Sequence, residues 1–272
     1  MEYFVKNAPN WSNEEIKKEL TLFLKIYNDR PIKKNIHGML FPHMFATYFI
    51  LKKINPSFVI ESGVFKGQST WLIEKTLPNS KILSIDLDLS KREYKSKNVT
   101  YSNIDFKFHD FSNIPRDTLV FFDDHINHHE RIQQAKFFNI KNIILEDNYK
   151  SNDGDFYTIK QSYQNSGFNH QYTYSSIIKT LLIFLNETIK KILFKKHYFS
   201  KEKIFSRLRD QKPNQNDFKN IEKNIDTYYE FPPIIDCAKN STKPIFQKNN
   251  IDLDVSEDEI TNYNYITFIK LN

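Results

Sequence analysis

The 272 residues are 39% hydrophobic and 15% aromatic, with 24 Phe and 15 Tyr, enough for a sizeable core in one large or two small domains. A net charge of +6 and a pI near 9.0 read first as a Lys-rich surface and leave anionic acceptors, such as phosphorylated or nucleotide-linked ones, open. One cysteine, Cys237, excludes an internal disulfide and any metal site built from several Cys.

The start, Met1-Glu-Tyr-Phe-Val-Lys6, lacks the basic-then-apolar order of a signal peptide, so a soluble cytoplasmic protein is the default expectation. Asn13 to Asn28 has helical periodicity, with Ile16, Leu20, Phe23, Leu24 and Tyr27 on one face. Ser12 followed by Glu15 is a capping-box pattern, and Pro31 closes the segment. A loop holding Ile36-His-Gly-Met-Leu40 precedes a second helix, about Pro42 to Ile54. Strands are then expected at Ser57–Glu61, Lys81–Asp86, Ile104–Phe108, Thr118–Asp124 and Asn142–Asp147. Helices at Gln68–Leu77 and His128–Asn139 separate some of them, so the pattern predicts a mostly parallel sheet with right-handed crossovers. Nearly every strand stops at a carboxylate, and in a parallel sheet those ends share one edge. After Tyr149 the rhythm is lost. Ile177 to Asp210 reads as one or two basic amphipathic helices, and Lys179, Asn186, Glu187, Lys190 and Lys191 interrupt its most apolar stretch too often for a membrane span. Gln211 to Lys223 reads as a loop, Tyr228-Tyr-Glu-Phe-Pro-Pro233 as an aromatic turn, and Tyr263 to Lys270 as a terminal strand.

The organisation expected is an N-terminal helical segment (1–56), a Rossmann-like core (57–150), a helical insertion or cap carrying part of the sheet (151–255) and a terminal strand returning to the core (256–272). At the start of that core lies Phe58-Val-Ile-Glu-Ser-Gly-Val-Phe-Lys-Gly-Gln-Ser69, a strand, a tight turn and a helix start. Two of the chain's only 5 glycines, Gly63 and Gly67, sit in this turn. Such turns hold nucleoside cofactors, with the acid ending the next strand, here Asp86, on the ribose hydroxyls. A dinucleotide fingerprint wants a glycine where Phe65 stands, and Glu61 would repel a pyrophosphate. Glu61 suits a cationic ligand instead.

The run Glu61 to Ser69 resembles motif I of class I S-adenosylmethionine-dependent methyltransferases. It is closest to the metal-dependent branch of catechol and macrolide-sugar O-methyltransferases. That resemblance implies the class I methyltransferase fold, with Glu61, Gly63, Phe65, Gly67, Ser69 and Asp86 around the cofactor. It also implies Met39, within Ile36-His-Gly-Met39, closing over the methionine part, and Asp110 and Phe111 at the adenine. In that branch an Asp after the fourth strand and an Asp-Asn pair after the fifth hold Mg2+; matched onto this chain they are Asp124, Asp147 and Asn148. Such hard oxygen ligands suit Mg2+ or Mn2+ better than zinc. The catechol enzymes carry a Lys where this chain has Asn127. His125, His128 and His129 crowd the same loop, so His128 is the expected base, with Asp124 and His125 beside it. The loss of the Lys points away from a catechol and toward a hydroxyl of a sugar, nucleotide-linked sugar or other polyol.

The expectation is thus a Mg2+- or Mn2+-assisted O-methyltransferase for a small molecule, with no nucleic acid partner. The apolar stripe of the N-terminal helix is a candidate subunit interface. Two readings stay open: a non-catalytic protein that kept the fold, and an NAD(P)-dependent oxidoreductase.

Overall fold

The computed structural model describes residues 4–151, 153–166, 215–235, 243–246, 255–260 and 263–272. The basic helices expected at 177–210, and Cys237, lie outside them. Helix α1 (Asn13–Asn28) starts at the expected capping box: Ser12 Oγ accepts from the Glu15 N–H at 3.2 Å, and the Glu15 carboxylate accepts from the Ser12 N–H at 3.0 Å. Helix α2 (Phe41–Ile54) starts one residue before the expected proline and ends at Asn55, left-handed at φ 49°.

The chain continues through β1 (Phe58–Ser62), α3 (Gln68–Thr76), β2 (Lys81–Ile85), β3 (Val99–Ser102), β4 (Leu119–Phe122), α4 (His128–Phe137), β5 (Asn142–Leu145) and α5 (Ile159–Tyr163). After the undescribed stretch come α6 (Gln215–Glu222), β6 (Ile225–Glu230), α7 (Glu257–Ile260) and β7 (Thr267–Leu271). The seven strands lie in the order β3-β2-β1-β4-β5-β7-β6. β1 to β5 pair parallel, whereas β7 is antiparallel to both β5 and β6. This is a Rossmann-like α/β fold, a seven-stranded sheet that is mostly parallel, as expected, with β7 reversed.

Three local expectations are corrected. The third strand lies at Val99–Ser102, not Ile104–Phe108; Asp105 accepts from the Lys107 N–H and turns Phe106–Phe108 into a short 3-10 turn. Tyr228 to Glu230 belong to β6 and not to a turn, because β7 pairs along them. Residues 215–222 are helical and not a loop.

Both faces of the sheet are covered, which is why its strands read as unbroken apolar runs. In β4, Leu119 and Phe121 face a core shared with α1, α2 and α3, whereas Val120 and Phe122 face the core under α4 and α5. Phe23, Phe45, Phe49 and Phe231 are fully buried in the first core, so α1 and α2 are continuous with the sheet's own packing. Among the described residues, no helix is long and apolar enough to cross a membrane. β1 has β2 on one side and β4 on the other, so the strand order reverses there. In open α/β sheets, ligands bind outside the carboxyl ends of the strands at such a reversal.

Candidate functional site

The turn after β1 is shaped by positive φ angles at Gly63 (103°), Phe65 (48°) and Gly67 (90°). Gly63 passes so close to the end of β4 that a Cβ there would sit 2.0 Å from the Asp123 carbonyl oxygen. We expect Gly63→Ala to cost about 3 kcal/mol or more, from strain and overpacking together, read as a fall in the thermal midpoint. The N–H groups of Val64 and Phe65 both donate to Asp86 Oδ2 at 2.9 Å, and the Asp88 N–H donates to Oδ1 at 2.9 Å. Asp86 therefore stands beside the turn, as expected, and ties it down. Gly67 caps α3, whose first turn buries Ser69.

Glu61 is not on the cleft surface. It is fully buried opposite Ser84 on β2 and accepts from the hydroxyls of Ser84 and Thr70. Burial pushes its carboxyl up to about 7, although hydrogen bonds from Ser69, Ser84 and Thr70 oppose that. A folded-state value above the unfolded one favours the fold fully below about pH 4.5, and that contribution is lost as pH rises through 7. Glu61→Gln should flatten the decline in stability between pH 5 and 8 by roughly 3 kcal/mol. Denaturant titrations at the two pH values would show an unchanged slope if the idea is wrong.

Met39 and Phe111 are also packed inside, 4% exposed each, rather than open to a cofactor. Phe111 is enclosed by Phe106 and Phe138, and exposed Asp110 accepts from the Ser112 N–H. The apolar groups that do face outward after β2 and β3 are Leu87, Ile104 and Phe108.

At the ends of β4 and β5 the expected ligand set separates. Asp124 is ion-paired to buried Arg131 at 2.7 Å and accepts from the Ser62 hydroxyl at 2.6 Å and the Ile126 N–H at 3.2 Å. Asn148 is fully buried: its Nδ2 donates to the Tyr228 hydroxyl (2.8 Å) and Thr267 Oγ1 (2.8 Å), and its Oδ1 accepts from the Lys160 N–H (3.0 Å). Asp124 still reaches the cleft, whereas Asn148 is enclosed among its protein partners. Asp147 stays at the edge. It is joined there by Glu146 and Asp123, which the sequence showed only as acids ending strands. The Glu146 carboxyl hydrogen-bonds to Asp147 and Asp123. Burial, then the neighbouring carboxylates, hold Glu146 well above the usual range. Burial also raises Asp123, and the His125 charge offsets only part of that.

Asp147 goes the other way. Burial works to raise it, but the pull of His43 and hydrogen bonds from Glu146, Tyr149 and Asn264 hold it below the ordinary carboxylate value. The hydrogen bonds matter more than His43, because burial keeps His43 neutral and its Nε2 accepts from the Asn264 N–H at 3.1 Å. Tyr149 Oη and Asn264 Nδ2 reach the two Asp147 oxygens at 2.7 and 2.8 Å. His43 Nε2 lies 3.7 Å from Glu146 and 3.6 Å from Asp147, so His43, Glu146 and Asp147 bring one ligand atom each within 4.8 Å.

The three histidines of the loop also part ways. His128 is 2% exposed; the Ile159 N–H donates to its Nδ1 at 3.4 Å and the Glu146 backbone holds the ring from the other side. Burial drives it to about 3, a neutral structural imidazole. His129 is likewise driven by burial to about 4, its ring stacked on Tyr157. The ring expected as the base is thus almost wholly enclosed beneath the loop. His125, at a positive φ of 55°, is half-buried, and its Nδ1 lies 3.0 Å from Asp155. Burial works to lower it, but the Asp155 hydrogen bond and the charges of Asp155, Asp123 and Asp147 push it up to about 9. Phe122, Asp123, Asp124, His125, Ile126, His128, Glu146 and Phe156 line one small cleft. Asp155 and Phe156 close it from beyond β5, where only a cap was expected. Sequence spacing gave no signal for Asp155, Asn264 or His43.

Fold and site together define a Rossmann-like protein with an acidic cleft at its topological switch point. No family model and no curated protein matches the chain. Among solved structures, the chain is similar to CmcI in an apo form, at 16% identity over 54% of this chain and 70% of that one, with a TM-score of 0.37. It is similar to the SAH-bound methyltransferase PaMTH1 of Podospora anserina, at 9% identity over 52% and 73%, with a TM-score of 0.35. The SAH-bound N-terminal domain of EvdMO1 gives 20% identity over 42% and 52%, with a TM-score of 0.33.

Proposed function

We propose that this chain is an S-adenosylmethionine-dependent O-methyltransferase that works with a divalent cation on a hydroxyl of a sugar or other polyol. The observation that carries the reading is the convergence of Asp123, Glu146 and Asp147 at the switch point, beside a glycine turn closed by a β2 acid. Asp86 takes the N–H groups of Val64 and Phe65, so the turn offers no free nest for a pyrophosphate. That favours S-adenosylmethionine over a dinucleotide. The Oδ1 side of Asp86 suits the ribose hydroxyls, with Leu87, Ile104 and Phe108 for the adenine.

Glu146 and Asp147 supply carboxylate oxygens that suit Mg2+ or Mn2+, with His43 Nε2 within 4.8 Å of both and Asp123 beside Glu146. A bound divalent ion supplies a lowered pKa to an acceptor hydroxyl. His125, oriented through Nδ1 by Asp155, is placed to receive that proton on its other ring nitrogen. The Asp155 hydrogen bond and charge do most to hold His125 near 9; a cation at the edge would take away only the smaller pull of Asp123 and Asp147. Asp155→Asn should lower the His125 titration midpoint, followed by its ring proton resonances; an unmoved midpoint would count against the dyad.

Calorimetry with S-adenosylhomocysteine, with and without Mg2+ or Mn2+, tests cofactor and cation together. The expected result is cofactor binding in both conditions and cation binding that Glu146→Gln removes. Absence of any S-adenosylhomocysteine binding would sink the reading.

A further inference from the structure

Arg131 is 2% exposed, yet it lies on α4, one turn away from the loop that forms the cleft. Its guanidinium forks onto both oxygens of Asp105 at 3.1 Å each and reaches Asp124 at 2.7 Å and Gln134 at 2.6 Å. The two acids come from opposite sides of the switch point. Asp105 caps the turn that carries exposed Phe108, on the side where the nucleoside is proposed to lie. Asp124 stands between Asp123 and His125, and the Ser62 hydroxyl fastens it to the end of β1. Phe106 and Phe122 pack near the guanidinium, with ring centroids at 5.8 and 5.6 Å, so solvent does not loosen the connection.

We propose that Arg131 is a positioning residue that couples the nucleoside wall of the cleft to its acidic edge, so that a ligand ordering one side prepares the other. The proposal rests on the cofactor and cation reading above. A buried ion pair is weak evidence for stability in itself. Anchoring of α4 alone would need one acid, whereas here one fork spans acids on two walls of the cleft. Ordering the Asp124 loop by filling the Asp123, Glu146 and Asp147 edge would leave less to order when the nucleoside binds, which gives positive coupling.

The test is the ratio of S-adenosylhomocysteine affinities with and without Mn2+, by calorimetry on the full chain. For the native chain a tightening of roughly tenfold is expected, within the usual range of coupling between sites. Asp105→Asn loses the charge-assisted fork on the nucleoside side but keeps the Arg131–Asp124 pair, so it avoids stranding a buried Asp124. In that variant the ratio should fall to below about twofold while S-adenosylhomocysteine still binds. Arg131→Lys, which keeps the charge and loses the fork, should lower the ratio in the same way. A merely structural role would lower the melting temperature and leave the ratio intact. A native ratio of one, or a full ratio in Asp105→Asn, overturns the coupling alone. A native chain that binds no S-adenosylhomocysteine overturns the cofactor reading and the coupling with it.

Discussion

Asp147→Asn is expected to weaken Mn2+ binding by about a hundredfold or more, with methyl transfer lost in parallel. The substitution is nearly isosteric and sits where the side chain keeps its neighbours. Tyr149 and Asn264 donate to its two oxygens, and an amide can still accept from one of them. What disappears is the one carboxylate of the cluster that the structure holds ionised, against two that burial drives toward protonation. Asn264→Ala, which removes a donor and leaves the charge, should have a smaller effect on the same titration. If Asp147→Asn and the native chain bind Mn2+ equally well, the cation does not lie at this edge.

Lys160→Met is expected to destabilise the fold by about 3–5 kcal/mol, the range for breaking a buried pair from one side. Lys160 is 4% exposed, pairs with Glu230 and lies 3.7 Å from the centre of the Tyr265 ring. Glu230 is fully buried and also accepts from the Tyr228 hydroxyl at 2.7 Å and from Asn148 at 3.3 Å. Removing the ammonium strands a carboxylate among β5, β6 and β7. Adding Glu230→Gln to Lys160→Met should recover most of the loss, because the amide keeps the Tyr228 and Asn148 neighbours without the charge. Denaturant midpoints of the single and double variants measure this; a double variant no more stable than the single one would count against it. The same network accounts for Asn148. Its amide completes the buried cluster, and so it is absent from the acidic edge.

Much of the fold was legible in the residues. The capping box at Ser12 and Glu15, the apolar runs ending in acids, and the glycines at 63 and 67 each report a local rule. Their repetition along the chain predicted a mostly parallel sheet with one working edge. Val99–Ser102 was missed because a four-residue strand with a single buried residue carries almost no periodic signal. Asp105 and the aromatics after it looked more strand-like than the strand.

The sequence by itself determined that carboxylates and imidazoles would collect at the carboxyl ends of β4 and β5. Which of them share the cleft was decided by the tertiary structure. Asp124 reaches the cleft with its carboxylate held from behind by Arg131, on the next helix. Asp147 takes φ 56° and His125 φ 55°, and each kink reverses the chain just past a strand. After such a kink the neighbouring side chains point in different directions: Asn148 back into the core, Glu146 and Asp147 to the edge, His125 to Asp155, His128 under the loop. Adjacent letters say nothing about that sense of rotation. It is set by what packs behind each residue, and those partners come from α4, β6, β7 and the segment before β7, far away along the chain.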